Sequence, residues 1–285
     1  MSRQNLDCNM HDRTTNSAVT LDVNSRERLF HDAWAATVDP RRVRVFETFT
    51  AATSPEPRWL LSRLGNLSGK NILDLGAGEG AAAVFFALRG AQVTACDLSS
   101  GFLDVVERVA AVHGVHVDRH NCSAEDLSSL AEDSFDVVYA SNLLHHVDIA
   151  RCLDEVRRVL KPGGLGAFCD PLAYNPLINI YRRMAYHVRT VDEHPLRRRD
   201  LDLFAERFRD VETRFFWLTT QTIFVKFYLL DRIHPNMDRY WERVVAQERE
   251  LRRLYTALEK ADGVILKAFP FMRWMCWRVA VVVRK

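Results

Sequence analysis

NILDLGAGEG, at residues 71–80, decides the fold of this chain. A short apolar run ends around Asp74 and is followed by glycines at every second position, Gly76, Gly78 and Gly80. A strand that ends in a glycine turn and leads into a helix places backbone N–H groups at the carboxyl edge of a sheet, where ligands bind in open α/β folds. Missing side chains also let a ligand lie against the main chain. The stretch therefore predicts a small-molecule site at this turn.

Strand-like and helix-like segments alternate from residue 70 to residue 170. Strands are predicted at residues 71–75, 91–97, 115–120, 135–141 and 165–170, and helices at 81–90, 100–114, 123–130 and 148–160. Strands separated by helices of about ten to fifteen residues are typical of right-handed βαβ units and a parallel sheet. The segment 70–170 is therefore predicted to be a doubly wound α/β domain with helices on both faces.

The flanking segments have other patterns. Residues 25–69 are helix-like and are predicted to form an N-terminal lid, whereas residues 171–273 are rich in arginine and aromatic residues and are predicted to form a helical substrate cap. Residues 274–285 end in an apolar run typical of a final strand. Residues 1–24 are polar without the apolar core of a signal peptide, and we interpret them as a disordered leader.

The amino-acid composition bears on the cellular location of the protein. Of the 285 residues 48% are hydrophobic, which is enough for a sizeable core, and no run of about 18 apolar residues predicts a membrane span. The six cysteines are scattered, with no CxxC pair. We interpret them as free thiols in a reducing cytosol, without metal or disulfide, so that a cytoplasmic location is predicted.

Charge is distributed unevenly along the chain. Residues 171–285 carry 22 Lys and Arg against 14 Asp and Glu, while residues 1–170 carry 17 against 23. A basic half favours an anionic partner, whether a small molecule, a nucleic acid or a lipid surface. A merely solvated arginine-rich surface is the alternative interpretation.

Two acids indicate what kind of ligand the glycine turn would hold. The G-x-G-x-G spacing differs from the G-x-G-x-x-G of dinucleotide-binding proteins, and Asp74 would repel a diphosphate but suit an ammonium group. Asp97 closes the next strand, 17 residues after Gly80, where a carboxylate can accept hydrogen bonds from both ribose hydroxyls. A nucleoside with a positively charged tail satisfies both conditions.

Five motifs in this order resemble those of the class I S-adenosylmethionine-dependent methyltransferases, in particular the small-molecule, ubiquinone/menaquinone-type subgroup. They are NILDLGAGEG, VTACDLS, SAEDL, FDVVYASNLLHHV and RVLKPGG. The resemblance covers about residues 70–170 and the closing strand. It implies a Rossmann-like, seven-stranded sheet with an antiparallel last strand, S-adenosyl-L-methionine as cofactor and S-adenosyl-L-homocysteine as product.

The resemblance also implies residue roles at the cofactor. Asp74 and the glycine loop would hold the methionine part, Asp97 the ribose and the SAEDL motif the adenine. The implied cofactor residues are Asp74, Gly76, Ala77, Gly78, Gly80, Asp97, Leu98, Ser123, Ala124, Glu125, Ser141 and Asn142. Ser123 departs from the family, which often has an aspartate there to bind the adenine amino group, and serine is the weaker acceptor.

Candidate catalytic groups follow the fourth and fifth strands. His145 and His146 are the nearest titratable side chains to the implied methyl position, and either could deprotonate a hydroxyl. They could equally orient the loop or line the pocket. Asp170, at the end of the fifth strand, and Tyr174 are further candidates, although Asp170 could simply cap the following turn.

Substrate contacts are predicted on both sides of the core. His31 and Trp34 lie on the predicted lid, and Arg182 and Arg183 lie in the basic cap, which suits a partly apolar, anionic acceptor. A nucleic-acid methyltransferase is not favoured, since acids are mixed among the arginines and no binding module is recognisable. A non-catalytic cofactor-binding module stays open as a third interpretation. Membrane-surface contact through the C-terminal tryptophans is not favoured over a core role, and the oligomeric state is not predicted.

Overall fold

The computed structural model describes residues 22–186, 189–190, 192–236 and 239–285. Most of the predicted leader, residues 1–21, lies outside the described residues. Its last residues belong to a helix instead, because Asp22 caps the helix that begins at Val23 by accepting a hydrogen bond from the Ser25 amide at 2.7 Å.

Seven strands form a single sheet. They are β1 (Asn71–Leu75), β2 (Gln92–Asp97), β3 (Asp118–Asn121), β4 (Phe135–Ser141), β5 (Leu160–Pro171), β6 (Asp210–Phe216) and β7 (Arg278–Arg284), in the spatial order β3-β2-β1-β4-β5-β7-β6. The first five are parallel, and β7 runs antiparallel between β5 and β6. The predicted seven-stranded sheet with an antiparallel last strand is confirmed.

Helices flank this sheet. They are α1 (Val23–Ala35), α2 (Val45–Thr50), α3 (Pro55–Leu64), α4 (Ala81–Leu88), α5 (Ser100–His113), α6 (Ile149–Val159), α7 (Pro176–Met184), α8 (Arg198–Arg207), α9 (Thr222–Leu229), α10 (Tyr240–Ala246) and α11 (Glu248–Ala268). In the part of the chain that the structure describes, no helix is both long and apolar enough to cross a bilayer.

Alternation along the strands divides the core into two layers. Ile72 and Val137 pack into one apolar cluster, and their neighbours Leu73 and Val138 pack into the other, all of them fully buried. Successive side chains of a strand point to opposite faces, so a strand covered by helices on both faces is apolar throughout. This explains why the central strands appear in the sequence as continuous apolar runs.

The order of the strands reverses beside β1, which pairs with β2 on one side and with β4 on the other. Chain crossovers leave this point in opposite directions and open a crevice above the carboxyl ends of the two strands. The Asp74–Gly80 turn and the residues after Ser141 meet in that crevice.

One predicted helix is wrong: residues 123–130 form turns. Short polar side chains there bind nearby backbone, as when Ser123 Oγ accepts a hydrogen bond from the Glu125 amide and Asp126 from the Ser128 amide. Glu155 of α6 accepts a hydrogen bond from the Leu127 amide at 2.8 Å. Such bonds compete with a helix ladder.

The prediction of free cysteines is wrong for one pair, because Cys96 and Cys122 form a disulfide with their Cα atoms 6.2 Å apart. The parallel pairing of β2 and β3 sets Asp97 beside Asn121, which brings the two cysteines together at the strand ends. Pattern along one sequence does not give this register. The free cysteines among the described residues, Cys152, Cys169 and Cys276, are buried.

The N-terminal helix is fixed to the core by hydrogen bonds. Asp32 of α1 accepts from Ser99 Oγ at 2.5 Å and from the Gly101 amide at 3.2 Å. At its other end Arg26 forms an ion pair with Asp192, at 2.8 Å, in the segment that follows α7. The helix thereby lies across the crevice, and its role as a lid stays a prediction.

Candidate functional site

A cavity of about 480 Å³ fills the crevice above β1, β2 and β4. The glycine turn and the ends of β2 and β4 form its floor, α1 forms one wall, and residues from α7 and the start of α10 form another. Its size suits a cofactor and a small second molecule together, since sites for small molecules occupy roughly 300–1,000 Å³.

The three glycines of the turn have different reasons to lack a side chain. A Cβ on Gly76 would lie 2.9 Å from Leu143 Cδ1, and one on Gly80 would lie 2.9 Å from Val106 Cγ2. A Cβ on Gly78 would meet nothing within 4 Å, and its backbone has a φ of +50°. A side chain at Gly76 or Gly80 would therefore collide with the protein itself, whereas one at Gly78 would enter open space. Gly76 and Gly78 both line the cavity, so the role of this turn in holding a ligand stays a prediction.

Asp97 connects the turn to the next strand. Its Oδ2 accepts a hydrogen bond from the Gly78 amide and its Oδ1 from the Ser99 amide, both at 2.9 Å. Burial raises the pKa of this carboxyl, and those backbone hydrogen bonds oppose the shift. Each carboxylate oxygen keeps a second lone pair, so Asp97 can still accept hydroxyl hydrogen bonds from the cavity side.

Asp74 offers a buried anion at the same wall. It is 2% exposed, and its Oδ2 accepts no hydrogen bond from the described residues. Burial raises its pKa to about 7, and the nearby charge of Asp97 adds to the effect. A cationic ligand group would satisfy this oxygen, so the residues present fit the ammonium of S-adenosylmethionine.

The far end of the cavity follows β2 and β3. Leu98, Ser123 and Ala124 line it, and their contact with an adenine stays a prediction. Glu125 does not, because its carboxylate instead accepts a hydrogen bond from the Asp148 amide at 2.8 Å, at the start of α6.

The two histidines after β4 have different partners. His145 Nδ1 lies 2.8 Å from Asp170 Oδ1, and both side chains are almost completely buried. Burial lowers the pKa of His145 well below its usual value, with repulsion from His146 adding to the shift, and burial raises the pKa of Asp170 to about 7. A neutral His145 that donates Nδ1–H to Asp170 keeps Nε2 unprotonated, as a base requires.

His146 faces acids from the lid and the cap. Its Nδ1 lies 3.1 Å from Glu27 Oε2. Burial lowers the pKa of His146, but the carboxylates of Glu27 and Glu193 outweigh it and raise the pKa above the ordinary value. His146 is therefore the more cationic member of the pair. Sequence reasoning missed Glu27, although its position four residues before His31 places both on one face of α1.

Arg182 is one of three arginines of the predicted cap that line the cavity, with Arg189 and Arg239. It donates to the Leu172 carbonyl at 3.3 Å and to Asn179 Oδ1 at 3.4 Å, and it forms no ion pair with a described carboxylate. Burial lowers its pKa to about 9, and repulsion from Arg189 contributes. A buried guanidinium of this kind attracts an anionic ligand group.

A buried ion pair on the cavity wall was not predicted. Arg278 of β7 lies 3.0 Å from Glu56 of α3, and Trp217 donates its indole N–H to the same carboxylate at 2.7 Å. These residues are far apart in the sequence, and only the antiparallel insertion of β7 brings them together.

The structure brings most of the predicted site residues to the cavity. Those on its wall are His31, Trp34, Asp74, Gly76, Ala77, Gly78, Asp97, Leu98, Ser123, Ala124, Ser141, Asn142, His145, His146 and Arg182. Gly80 and Asp170 lie behind it, packed on Val106 and His145. Tyr174 and Arg183 do not contribute: Tyr174 is 41% exposed and accepts a hydrogen bond from the Arg198 amide at 2.8 Å, and Arg183 is exposed.

Fold and site agree with the resemblance that the sequence motifs carry. The strand order, the antiparallel seventh strand and the acid–glycine turn at the switch point resemble those of the class I S-adenosylmethionine-dependent methyltransferases, so the predicted resemblance is confirmed. Residues 73–168 match a family model described as a methyltransferase domain.

Relatives of known name match part of the chain. The ubiquinone biosynthesis O-methyltransferase of Pseudomonas syringae pv. tomato is 38% identical over 119 residues, which are 41% of this chain and 50% of that protein. The enzyme of the same name from Aeromonas salmonicida is 35% identical over the same shares. The chain thus spans about half the length of the relatives it matches.

The likeness to solved structures extends further along the chain. A geranyl diphosphate C-methyltransferase from Streptomyces coelicolor, solved with Mg²⁺, geranyl diphosphate and S-adenosyl-L-homocysteine, superposes with a TM-score of 0.54 at 16% identity. The superposition covers 81% of this chain and 78% of that one. At this identity the comparison shows the shared fold.

Proposed function

We propose that this protein is an S-adenosylmethionine-dependent methyltransferase whose acceptor is a small, partly apolar molecule with an anionic group. The observation that carries the proposal is a single cavity. It joins the acids Asp74 and Asp97 to the histidine pair and to Arg182. A cofactor at one end would therefore meet an acceptor at the other.

The proposed position of the cofactor rests on the side chains at one end of the cavity. When bound, S-adenosylmethionine would supply a methyl group already activated on a sulfonium, so the protein has mainly to position the reactants and accept a proton. Asp74 would accept hydrogen bonds from the ammonium group and Asp97 from the ribose hydroxyls. Leu98 and Ala124 would pack on the adenine, and the hydroxyl of Ser123 would be its polar neighbour.

His145 is the proposed general base. Its Nδ1 is held 2.8 Å from Asp170, which fixes the ring and leaves Nε2 to take a proton from an acceptor hydroxyl. His146, held cationic by Glu27, would stabilise the negative charge that develops on the acceptor oxygen. A hydroxyl acceptor is also consistent with the relatives named as ubiquinone biosynthesis O-methyltransferases.

The acceptor end combines a cation with aromatic walls. Tyr181, Trp217 and Trp277 line the same cavity as Arg182. Their faces suit an aromatic or isoprenoid body, and the guanidinium suits a carboxylate or phosphate. Because the cavity is enclosed by α1 and the cap, it favours a small molecule over a nucleic acid. A cytoplasmic location for this reaction stays a prediction.

A transfer assay tests the proposal. The protein is incubated with S-adenosylmethionine carrying a labelled methyl group and with a panel of carboxylated phenols, prenylated phenols and isoprenyl phosphates, and each is paired with its uncharged ester. We expect label in an anionic acceptor, little in its ester, and loss of transfer in His145→Ala but not in Asp154→Asn, a change at an exposed surface acid. Cofactor binding without transfer to any member would contradict the proposed activity and favour a binding module.

A further inference from the structure

Three side chains meet where the lid touches the loop after β4. Glu27 and His31 lie four residues apart on α1, and His146 ends the short turn Leu144–His146. One ligand-type atom from each lies within 4.8 Å of the others. Glu27 Oε2 is 3.1 Å from His146 Nδ1 and 3.8 Å from His31 Nδ1.

These distances are compatible with ligands of one metal ion. Two donors about 2.1 Å from one tetrahedral ion are ~3.4 Å apart, between the two distances observed. Both carboxylate oxygens of Glu27 and the Nδ1 of His146 are buried without a hydrogen bond of good geometry to a described residue, although the 3.1 Å contact between Glu27 Oε2 and His146 Nδ1 still provides charge attraction. Glu27 as a whole is 3% exposed. Buried polar atoms without hydrogen bonds are costly, and a shared cation would satisfy all three.

We propose that Glu27, His31 and His146 form a binding site for a divalent transition-metal ion. Two imidazoles and one carboxylate suit Zn²⁺, Fe²⁺ or Co²⁺, whereas Mg²⁺ prefers an all-oxygen set. All three residues line the cavity, so the remaining coordination positions face the space between lid and core. Because a metal ligand must be deprotonated, the ion would displace the Nδ1 proton of His146 and take over its positive charge beside the acceptor. The ion would also join α1 to the loop after β4.

A second group of donors shares His146 but is less suitable. His145, His146 and Glu193 also lie within 4.8 Å of one another. However, His145 Nδ1 is engaged by Asp170, and Glu193 is paired with Arg189. Glu27 and His31 have no competing ion pair with Lys or Arg among the described residues, which favours the first group.

The test uses metal binding, which does not depend on methyl transfer. The full chain is stripped with a chelator and titrated with Co²⁺ by visible absorption and with Zn²⁺ by calorimetry. We expect one ion per chain and a spectrum without thiolate bands, because the ligand set contains no cysteine. Glu27→Gln and His31→Asn should each weaken binding by at least ~10-fold.

His116→Asn is the matched control, since His116 and Asp118 form an exposed pair, 3.0 Å apart, that could bind metal adventitiously. It should leave the affinity unchanged. Circular dichroism establishes that each variant is folded, and the two lid variants are judged separately. The proposal is overturned if no ion binds, if both folded lid variants bind as tightly as wild type, if thiolate bands appear, or if only His116→Asn loses binding.

Discussion

Replacing Asp97 by alanine tests how the proposed cofactor site works. Its carboxylate is anchored by the Gly78 and Ser99 amides, both at 2.9 Å, and is 9% exposed, so its orientation is fixed before any ligand arrives. A hydrogen bond to a charged group contributes about 1.5–3 kcal/mol. At about 1.4 kcal/mol for each factor of ten, losing one such bond to the ribose weakens binding roughly 10- to 150-fold.

The assay is calorimetric titration with S-adenosylhomocysteine, combined with urea unfolding. Asp97→Ala also leaves two backbone amides without their acceptor, so we expect the free energy of unfolding to fall by about 1–3 kcal/mol as well. The calorimetric titrations of the wild-type protein and of the variant therefore need conditions in which the variant is fully folded.

Ser99→Ala supplies the matched control for local damage. Ser99 caps α5 by accepting from the Phe102 amide at 3.0 Å and donates to Asp32, but it does not line the cavity. We expect it to lower stability with an affinity within about threefold of wild type, on the scale where tenfold is about 1.4 kcal/mol. If folded Asp97→Ala binds as tightly as Ser99→Ala, the ribose assignment is refuted.

Three further outcomes are expected. Asp170→Asn should lower kcat at least ~100-fold, because His145 would lose the carboxylate that fixes its tautomer. The affinity for S-adenosylhomocysteine should stay unchanged. A kcat near that of the wild type would show that the His145–Asp170 pair does not act in catalysis. Arg182→Met should raise KM for an anionic acceptor by roughly 10- to 100-fold and leave an uncharged analogue unaffected, whereas equal effects on both would argue against a charge contact. Since burial raises the pKa of Asp74 to about 7, its carboxylate dominates above that pH and is lost below it. Affinity for S-adenosylhomocysteine should therefore fall about tenfold per pH unit on the acid side, and a dependence that survives in Asp74→Asn would have another origin.

The core and the cofactor end of the site could be predicted from the sequence because their determinants are local. The apolar run 71–75, the acid and the glycines occupy consecutive positions, and parallel strands bring their carboxyl ends to one edge whatever the exact register. The antiparallel last strand was implied by the resemblance and not by its own pattern, because an apolar run does not indicate whether a strand pairs parallel or antiparallel with its neighbour.

The acceptor end could not be predicted because its contacts cross long stretches of chain. Glu27 meets His146, and Glu56 meets Arg278, only after lid, loop and β7 are assembled. Tyr174 follows β5 by three residues but turns outward to the Arg198 amide, which no local pattern indicates.

The neighbours of the three glycines could not be predicted either. Residue type shows that a side chain is excluded, but not what excludes it. Leu143 approaches Gly76 from a loop more than sixty residues later in the chain, so only the folded structure separates packing from ligand contact.

Titration of the wild-type protein with S-adenosylhomocysteine by calorimetry tests the central claim most directly. We expect one site per chain with a dissociation constant in the micromolar range. In Asp97→Ala we expect weaker binding that neither added salt nor an acceptor restores. A folded protein that binds no S-adenosylhomocysteine, with or without an acceptor present, would contradict the proposal that this cavity holds the cofactor of a methyltransferase.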